Sequence, residues 1–442
     1  MTGGKEDKNM AGSNKYDIIG VGIGPFNLGM AALTEPLDDV RALFFEQHPS
    51  FEWHPGMLLE GTVLNSPFLA DLVTFADPTS PYSIINYLHK KNRLYQFFFY
   101  KDLHIPRREY NAYGKWVASQ LDSLRFGCRV EDVREDDGCY QVSVRDTKTN
   151  DTYTYYARHV VVGTGSTPQL PPAVNPRTDD HVYHSSEYAM RKASLKHTDT
   201  ITVVGSGQSA AEIFHDLLQD QKHYGYYLTW LTRSPEFFQS ESAKLAREVF
   251  SPDYVSYFRT LDYETRLSAL PELDKGRKGI EQKTLMNIYE LLYHRSVERE
   301  DPRVTLQPMT EVTGMEEKGG RYALTCRQWQ KEETFVHRTD KAVFATGYTP
   351  NVPQWIYDFG SQIKWEDDKR YQVSDTYRLV FGDDRCHHIY VLTNLDHSHG
   401  TAATNLALSV MRNQTIINDI CGYEVYPVQQ DTIFQRFYED PQ

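Results

Sequence analysis

VVGSGQSAAE, residues 203–212, has the form of a strand that runs into a glycine turn and leaves it as a helix. That arrangement lets backbone N–H groups at a helix start cradle a pyrophosphate. The same form occurs earlier, as GVGIGPFNLG at residues 20–29. Two such turns in one chain predict two dinucleotide sites on two doubly wound α/β units.

In the first turn an apolar strand at residues 16–19 meets Gly20, read as permitting the tight bend, and Gly22, which lets the backbone approach a phosphate. Pro25 stands where a third glycine is usual, so helix and strand must pack somewhat differently there. The next strand, ALFFE, closes on Glu46, placed to accept hydrogen bonds from ribose hydroxyls. The second turn carries Gly205, Gly207, Gln208 and Ser209, and its next strand, YYLTWLTR, ends on Arg233 instead of an acid. A carboxylate there would repel a 2′-phosphate, whereas a guanidinium forks onto one. The pair of turns therefore reads as one site for FAD and one for NADPH, an electron relay beside its reductant. With no C-x-x-C motif in the chain a dithiol relay is excluded, and oxygen activation remains.

Length and composition agree. A chain of 442 residues needs two or three domains, and 40% hydrophobic with 24% charged residues is a globular balance. A net charge of −13 with no Lys/Arg-rich run disfavours nucleic acid. Cys128, Cys139, Cys326, Cys386 and Cys421 are scattered and odd in number, the pattern of free thiols in a reducing compartment. No stretch is apolar enough to span a membrane, and the polar start lacks the core of a signal peptide, so the expected location is cytoplasmic.

GTGSTPQLP (163–171) and ATGYTPNVP (345–353) share T-G-x-T-P-x-x-P, each after a β-rich run. They read as the chain leaving one dinucleotide domain and re-entering it. The expected plan is a tail at 1–14, an FAD domain at 15–172 and 345–442, an inserted NADPH domain at 173–240 and 301–344, and a helical substrate segment at 241–300. Residues 136–138, Asp-Asp-Gly, read as a hairpin turn.

GVGIGPFN, WHPGM, the F-L-x-D-L-V-T run, GSGQSAAE and DKAVFATGY together resemble the flavin-dependent N-hydroxylating monooxygenases, the lysine and ornithine N-monooxygenases of siderophore assembly. The resemblance runs from about residue 16 to the HGTAATNLALSVMRN segment near 400. It implies that NADPH reduces FAD, that O2 adds at the flavin C4a, and that the hydroperoxide gives its distal oxygen to a neutral primary amine. The protein's part is then positioning and exclusion of water, with no metal and no catalytic nucleophile. By position, Gly20, Gly22, Gly24, Pro25, Asn27 and Glu46 would hold FAD, with Trp53, His54 and Met57 against the flavin. Gly205, Gly207, Gln208, Ser209 and Arg233 would hold NADPH, and Asn65 would sit near flavin and nicotinamide, where the family usually has Gln. His399, in DHSHG, resembles part of a family loop over the flavin. The resemblance also implies a homo-oligomer, plausibly a tetramer.

One departure concerns the substrate. Amino-acid hydroxylases of the family commonly read F-L-K-D-L, the lysine pairing with the ornithine carboxylate, where this sequence has Ala70. An unpaired buried carboxylate is costly, so a diamine, putrescine or cadaverine, is the expected substrate. Arg247, in AREVFSP near where the family contacts substrate, is a candidate replacement cation. It keeps L-lysine or L-ornithine as the alternative. The F-x-G-x-x-x-H-x-x-x-W signature of Baeyer–Villiger monooxygenases is not found between the two turns.

Overall fold

Apolar runs that are buried on both faces pair in parallel, as covered sheets require. In the computed structural model, which describes residues 15–174, 181–240, 243–299 and 301–438, two such sheets form. The expected tail at 1–14 lies outside the described residues. The larger sheet runs in the order Leu124–Phe126, Ala42–Glu46, Lys15–Val21, Thr152–Val162, Cys139–Asp146, Cys128–Asp136. Its first four strands are parallel, with Gly20 opposite Phe44 and Val21 opposite Val162. The last two form a hairpin that turns on Asp137 and Gly138, both left-handed at φ 42° and 75°. The far half of Thr152–Val162 takes Ile389–Val391 in parallel, so a strand from the end of the chain completes the sheet begun at residue 15.

The smaller sheet is all parallel, in the order Val182–His184, Lys341–Phe344, Thr200–Val204, Tyr227–Leu231, Val304–Gln307. Its central strands Thr200–Val204 and Lys341–Phe344 are almost wholly buried. A three-stranded antiparallel meander, Thr310–Lys318, Arg321–Gln328 and Glu333–Thr339, leads into its last strand. The two echoing loops meet. Ser166–Pro168 and Tyr348–Pro350 pair antiparallel, with Tyr348 opposite Pro168, so the chain crosses between the sheets twice on one ribbon.

Among the described residues between Tyr227–Leu231 and Val304–Gln307 lie three α-helices, Pro252–Thr260, Tyr263–Arg277 and Gln282–Arg295. Two starts are legible locally: Ser251 and Asp262 accept from the N–H groups of Tyr254 and Thr265, and Pro252 occupies a first helical position. The five cysteines are free. Among the described residues no helix is long and apolar enough to cross a membrane, and no group of three or more His, Cys, Asp or Glu is placed to hold a metal ion.

Candidate active site

The first glycine turn has two different reasons for its glycines. Gly22 is left-handed at φ +85°, and a Cβ there would lie 2.6 Å from the Gly163 carbonyl oxygen. Gly20 does not supply the bend expected of it. A Cβ at Gly20 would lie 2.0 Å from the Phe44 ring, so this glycine makes room for the neighbouring strand's aromatic core. Gly24 is the N-cap of the helix Pro25–Thr34, and a Cβ there would meet nothing within 4 Å. That helix start has no side-chain cap and no acid in its first turn, and the space beside its cap residue is open, the cradle an anion needs.

Asn27 is not positioned as a ligand contact. It is fully buried, and its amide donates to the Gly22 carbonyl at 2.8 Å, bracing the turn from behind. Glu46 stands beside the turn, accepting from the Ile23 N–H at 2.9 Å and from the His48 N–H at 2.9 Å. Each of its oxygens keeps a lone pair for a ribose hydroxyl. Behind Pro25, Asn413 donates to the Phe26 carbonyl at 2.9 Å, and the buried Arg412 guanidinium lies 4.6 Å over the Phe26 ring. Burial pushes Arg412 down to about 10.

WHPGM, residues 53–57, joins the two units. His54 is left-handed at φ 47°, and Pro55–Met57 form a 3-10 turn. Gly56 is needed for contact: a Cβ would lie 1.9 Å from the Ser186 carbonyl oxygen. An aromatic seam then runs across. Trp53 meets Tyr110 at 5.0 Å and His54 at 4.9 Å, His54 meets Tyr348 at 5.8 Å, and Tyr348 meets His184 at 5.0 Å. His54 keeps an open face to solvent but sits hemmed in by protein. That crowding, with the Arg107 charge nearby, pushes its imidazole down to about 4. Met57 departs from its expected place. It is 3% exposed and packs into the core of the smaller sheet, because the turn delivers its side chain away from the cleft.

In the second turn Gly205 lets the backbone approach Ala345, whose carbonyl oxygen would lie 2.3 Å from a Cβ. Gly207 caps the helix Gln208–Tyr224, again with no side-chain cap and no acid in the first turn. Gln208 is committed elsewhere than to a nucleotide. Its amide donates to Glu212 at 2.9 Å and to Thr284 at 3.1 Å, and its oxygen accepts from the Glu281 N–H at 2.7 Å. Ser209 is half-buried, and Arg233 is exposed at the end of the next strand with no ion pair among the described residues. Both cradles have the open N-terminus, approach glycines and selective side chain that a dinucleotide needs.

A pair that sequence reading missed ties these parts together. Arg107 and Glu212 form two hydrogen bonds of 2.7 Å, with only 13% and 5% of their side chains exposed. The signal was present in the quoted motif, since Glu212 lies among Ala210, Ala211, Ile213 and Phe214 on a buried helix. Asn65 and Arg247 are brought together: the guanidinium donates to the Asn65 carbonyl at 3.1 Å. Ala70 lies five residues on and is 3% exposed. His399 is 1% exposed, stacked 4.3 Å from Tyr377 and 3.1 Å from the Arg259 guanidinium. Arginine only donates, so Nε2 of His399 accepts and Nδ1 carries the proton toward Ser398. The ring is a buried support, with no open face for a cofactor.

The pattern that defines L-lysine 6-monooxygenase/L-ornithine 5-monooxygenase matches residues 14–350. The putrescine N-hydroxylase of Shewanella oneidensis is 40% identical over 427 residues, covering 96% of this chain and 84% of that protein. The crystal structure of the FAD-bound cadaverine monooxygenase of the desferrioxamine pathway from Erwinia amylovora matches with TM-score 0.91 and 38% identity, over 97% of this chain and 99% of that one. The ornithine N-hydroxylase of Kutzneria sp. 744, with reduced FAD, NADP+ and L-ornithine, matches with TM-score 0.85 and 27% identity, over 92% and 99% of the two chains.

Proposed function

The chain belongs to the L-lysine 6-monooxygenase/L-ornithine 5-monooxygenase family, and on that premise we propose that it N-hydroxylates one terminal amine of a diamine, putrescine or cadaverine, for hydroxamate siderophore biosynthesis. It is a flavin-dependent N-hydroxylating monooxygenase that uses FAD and NADPH. Bound FAD, reduced by NADPH, supplies the oxygen-activating chemistry.

The chain's own residues do the rest. The open helix start at Gly24 and the strand-end Glu46 suit the FAD pyrophosphate and ribose, and Trp53 and His54 line the seam beside them. The helix start at Gly207, with Ser209 and the free Arg233, suits NADPH and its 2′-phosphate. His54, held down to about 4, stays neutral at working pH and adds no charge near a reacting amine. The amine must arrive unprotonated, against an ordinary pKa of about 10.4, so the site must desolvate it.

Ala70 carries the diamine reading. It is buried and apolar where the amino-acid hydroxylases resembled by this sequence commonly carry a lysine for the carboxylate. The matched putrescine and cadaverine enzymes, at 40% and 38% identity, support the same reading over the ornithine enzyme at 27%. Arg247 is the observation that favours an amino acid, because its guanidinium donates to the Asn65 carbonyl, on the strand that leads to Ala70.

The test is N-hydroxylated product, not NADPH loss alone, with putrescine, cadaverine, L-lysine and L-ornithine side by side. Product from a diamine with little from either amino acid is expected. Product mainly from lysine or ornithine would overturn the reading and make Arg247 the carboxylate partner. The reading also has the enzyme cytoplasmic and self-associating, plausibly a tetramer. Support for self-association comes from the helix Leu94–Tyr100, which has no buried residue and exposes Tyr95, Phe98 and Phe99 by 80%, 67% and 69%. Sedimentation at working concentration checks it, with a monomer counting against it.

A further inference from the structure

The helix Leu406–Cys421 stops at a left-handed Gly422, and the chain doubles back over it. Asn418 pins the return from both sides. Its oxygen accepts from the N–H groups of Val425 at 2.8 Å and Tyr426 at 3.0 Å, and its amide donates to the Tyr426 carbonyl at 2.8 Å. The Tyr426 hydroxyl donates to Leu33 at 2.7 Å, and the buried Gln414 donates to the Pro427 carbonyl at 2.9 Å. Residues 425–427 are thereby fixed to two helices of the larger sheet.

Residues 432–438 then cross onto the helical segment. The Thr432 N–H donates to Asp253 at 3.1 Å, and its hydroxyl donates to the same carboxylate. Glu248 accepts from the Phe434 N–H at 3.3 Å, from the Gln435 N–H at 3.0 Å and from the Gln435 amide at 3.1 Å. The Gln435 amide also donates to the Leu245 carbonyl. Phe437 packs 4.8 Å from Tyr254 and 5.6 Å from Tyr257, on which Tyr438 also stacks. The 3-10 turn Ala246–Phe250 that receives these contacts has no buried residue, so little core of its own holds it in place. That turn carries Arg247, whose guanidinium rests on Asn65.

We propose that residues 432–438 are a positioning strap: they hold Glu248, and with it the turn bearing Arg247, against the Asn65 strand, closing the amine end of the active site. The proposal rests on the reading above that Ala70 and Arg247 stand where the substrate binds. The strap touches neither glycine turn through any of these contacts, so it acts on the amine and not on cofactor binding. A turn set loose would leave the amine poorly placed and admit water, so reducing equivalents would be lost to hydrogen peroxide.

Two proteins test this against the full chain: one ending after Gln430, and a full-length Glu248→Ala variant whose strap is intact in sequence. Both should keep their FAD content and their rate of flavin reduction by NADPH without amine. Both should show a putrescine KM raised about tenfold with a smaller change in kcat, as loss of binding contacts shared by ground and transition state predicts. N-Hydroxyputrescine formed per NADPH should fall and hydrogen peroxide should rise. Trypsin should cut after Arg247 faster in both than in the full chain, since a loosened turn opens locally. Unchanged KM, coupling and cleavage would overturn the strap. So would FAD loss in step with the rise in KM, which would mark a general loss of structure. If the full chain reduces its flavin but hydroxylates no diamine, the substrate reading fails alone. Cleavage after Arg247 then decides the strap.

Discussion

In the first glycine turn the helix opens on Pro25, and the side chain behind it, Asn27, is fully buried against the turn's own backbone. In the second turn the helix opens on Gln208, whose amide reaches out to Glu281 and Thr284 on another segment. The first cradle is locked into the core of its sheet. The second is tied to the helices that separate two strands of its own sheet. That division separates a turn braced by its own backbone from one braced by a distant segment. The strands that follow differ in the same sense: Glu46 is held by two backbone N–H groups, whereas Arg233 stands exposed.

Matched alanine substitutions should break the symmetry most strongly. Gly22→Ala forces a left-handed φ of +85° on a residue with a Cβ and drives that Cβ to 2.6 Å from the backbone of Gly163. The expected outcome is near-complete loss of bound flavin, read as flavin absorbance per chain. Gly207→Ala meets its nearest neighbour, the Lys278 carbonyl oxygen, at 3.7 Å, with no positive φ to maintain. It should keep its flavin and raise the NADPH KM, because the added Cβ stands where the helix start must approach the pyrophosphate. Equal damage from both would remove the distinction between a locked cradle and a tied one.

Next in size is the tie between the units. Arg107→Ala strands the carboxylate of Glu212, which burial already pushes above its ordinary range despite the partner. Leaving one member of a buried pair alone costs about 3–5 kcal/mol, so the denaturant midpoint should fall clearly. Glu212→Gln, which keeps the shape and loses the charge, should cost less. If neither variant lowers the midpoint, the pair does not join the units, and the second cradle is held by Gln208 alone.

Much of this was legible because it is local. The strand, glycine and helix pattern marks both turns, and the T-G-x-T-P echo marks the two stretches that pair as a ribbon. Gly20 was misread because its constraint comes from Phe44, a strand away, and no local pattern reports that contact. Met57 and Gln208 were misread for a similar reason. A motif says which residues are present, but the direction of each side chain depends on what packs behind the turn. Arg107 with Glu212 stands 105 positions apart, and the strap stands nearly 190 from Glu248, so neither leaves a spacing to read. The site assembled by distant segments is where sequence falls short, and there the aromatic seam and buried pair do the joining.

Arg233→Ala should have a smaller and more selective effect. A charge-assisted hydrogen bond contributes about 1.5–3 kcal/mol, so the NADPH KM should rise about tenfold or more while the NADH KM stays put. Flavin content should not change, because Arg233 belongs only to the second cradle. A parallel rise for NADH would show a general disturbance of the turn instead of a lost phosphate contact.

The smallest effect is expected from His54, on the loop between the two cradles. Its folded pKa of about 4 lies below the unfolded value near 6.5, so between those values the unfolded chain binds more protons than the folded one. Stability from this group is therefore complete above about pH 6.5 and declines as the pH falls toward 4. His388, also pushed down to about 4 by burial, and His159, pushed to about 3, act in the same direction, so His54→Asn should flatten only part of the acid slope of the unfolding midpoint. The activity profile between pH 6 and 8 should show no His54 step, because the imidazole is neutral throughout. An inflection near pH 6.5 that disappears in His54→Asn would mean that the ring titrates freely. It would then be a charged group in the cleft, and the seam would no longer be a neutral bridge between the two glycine turns.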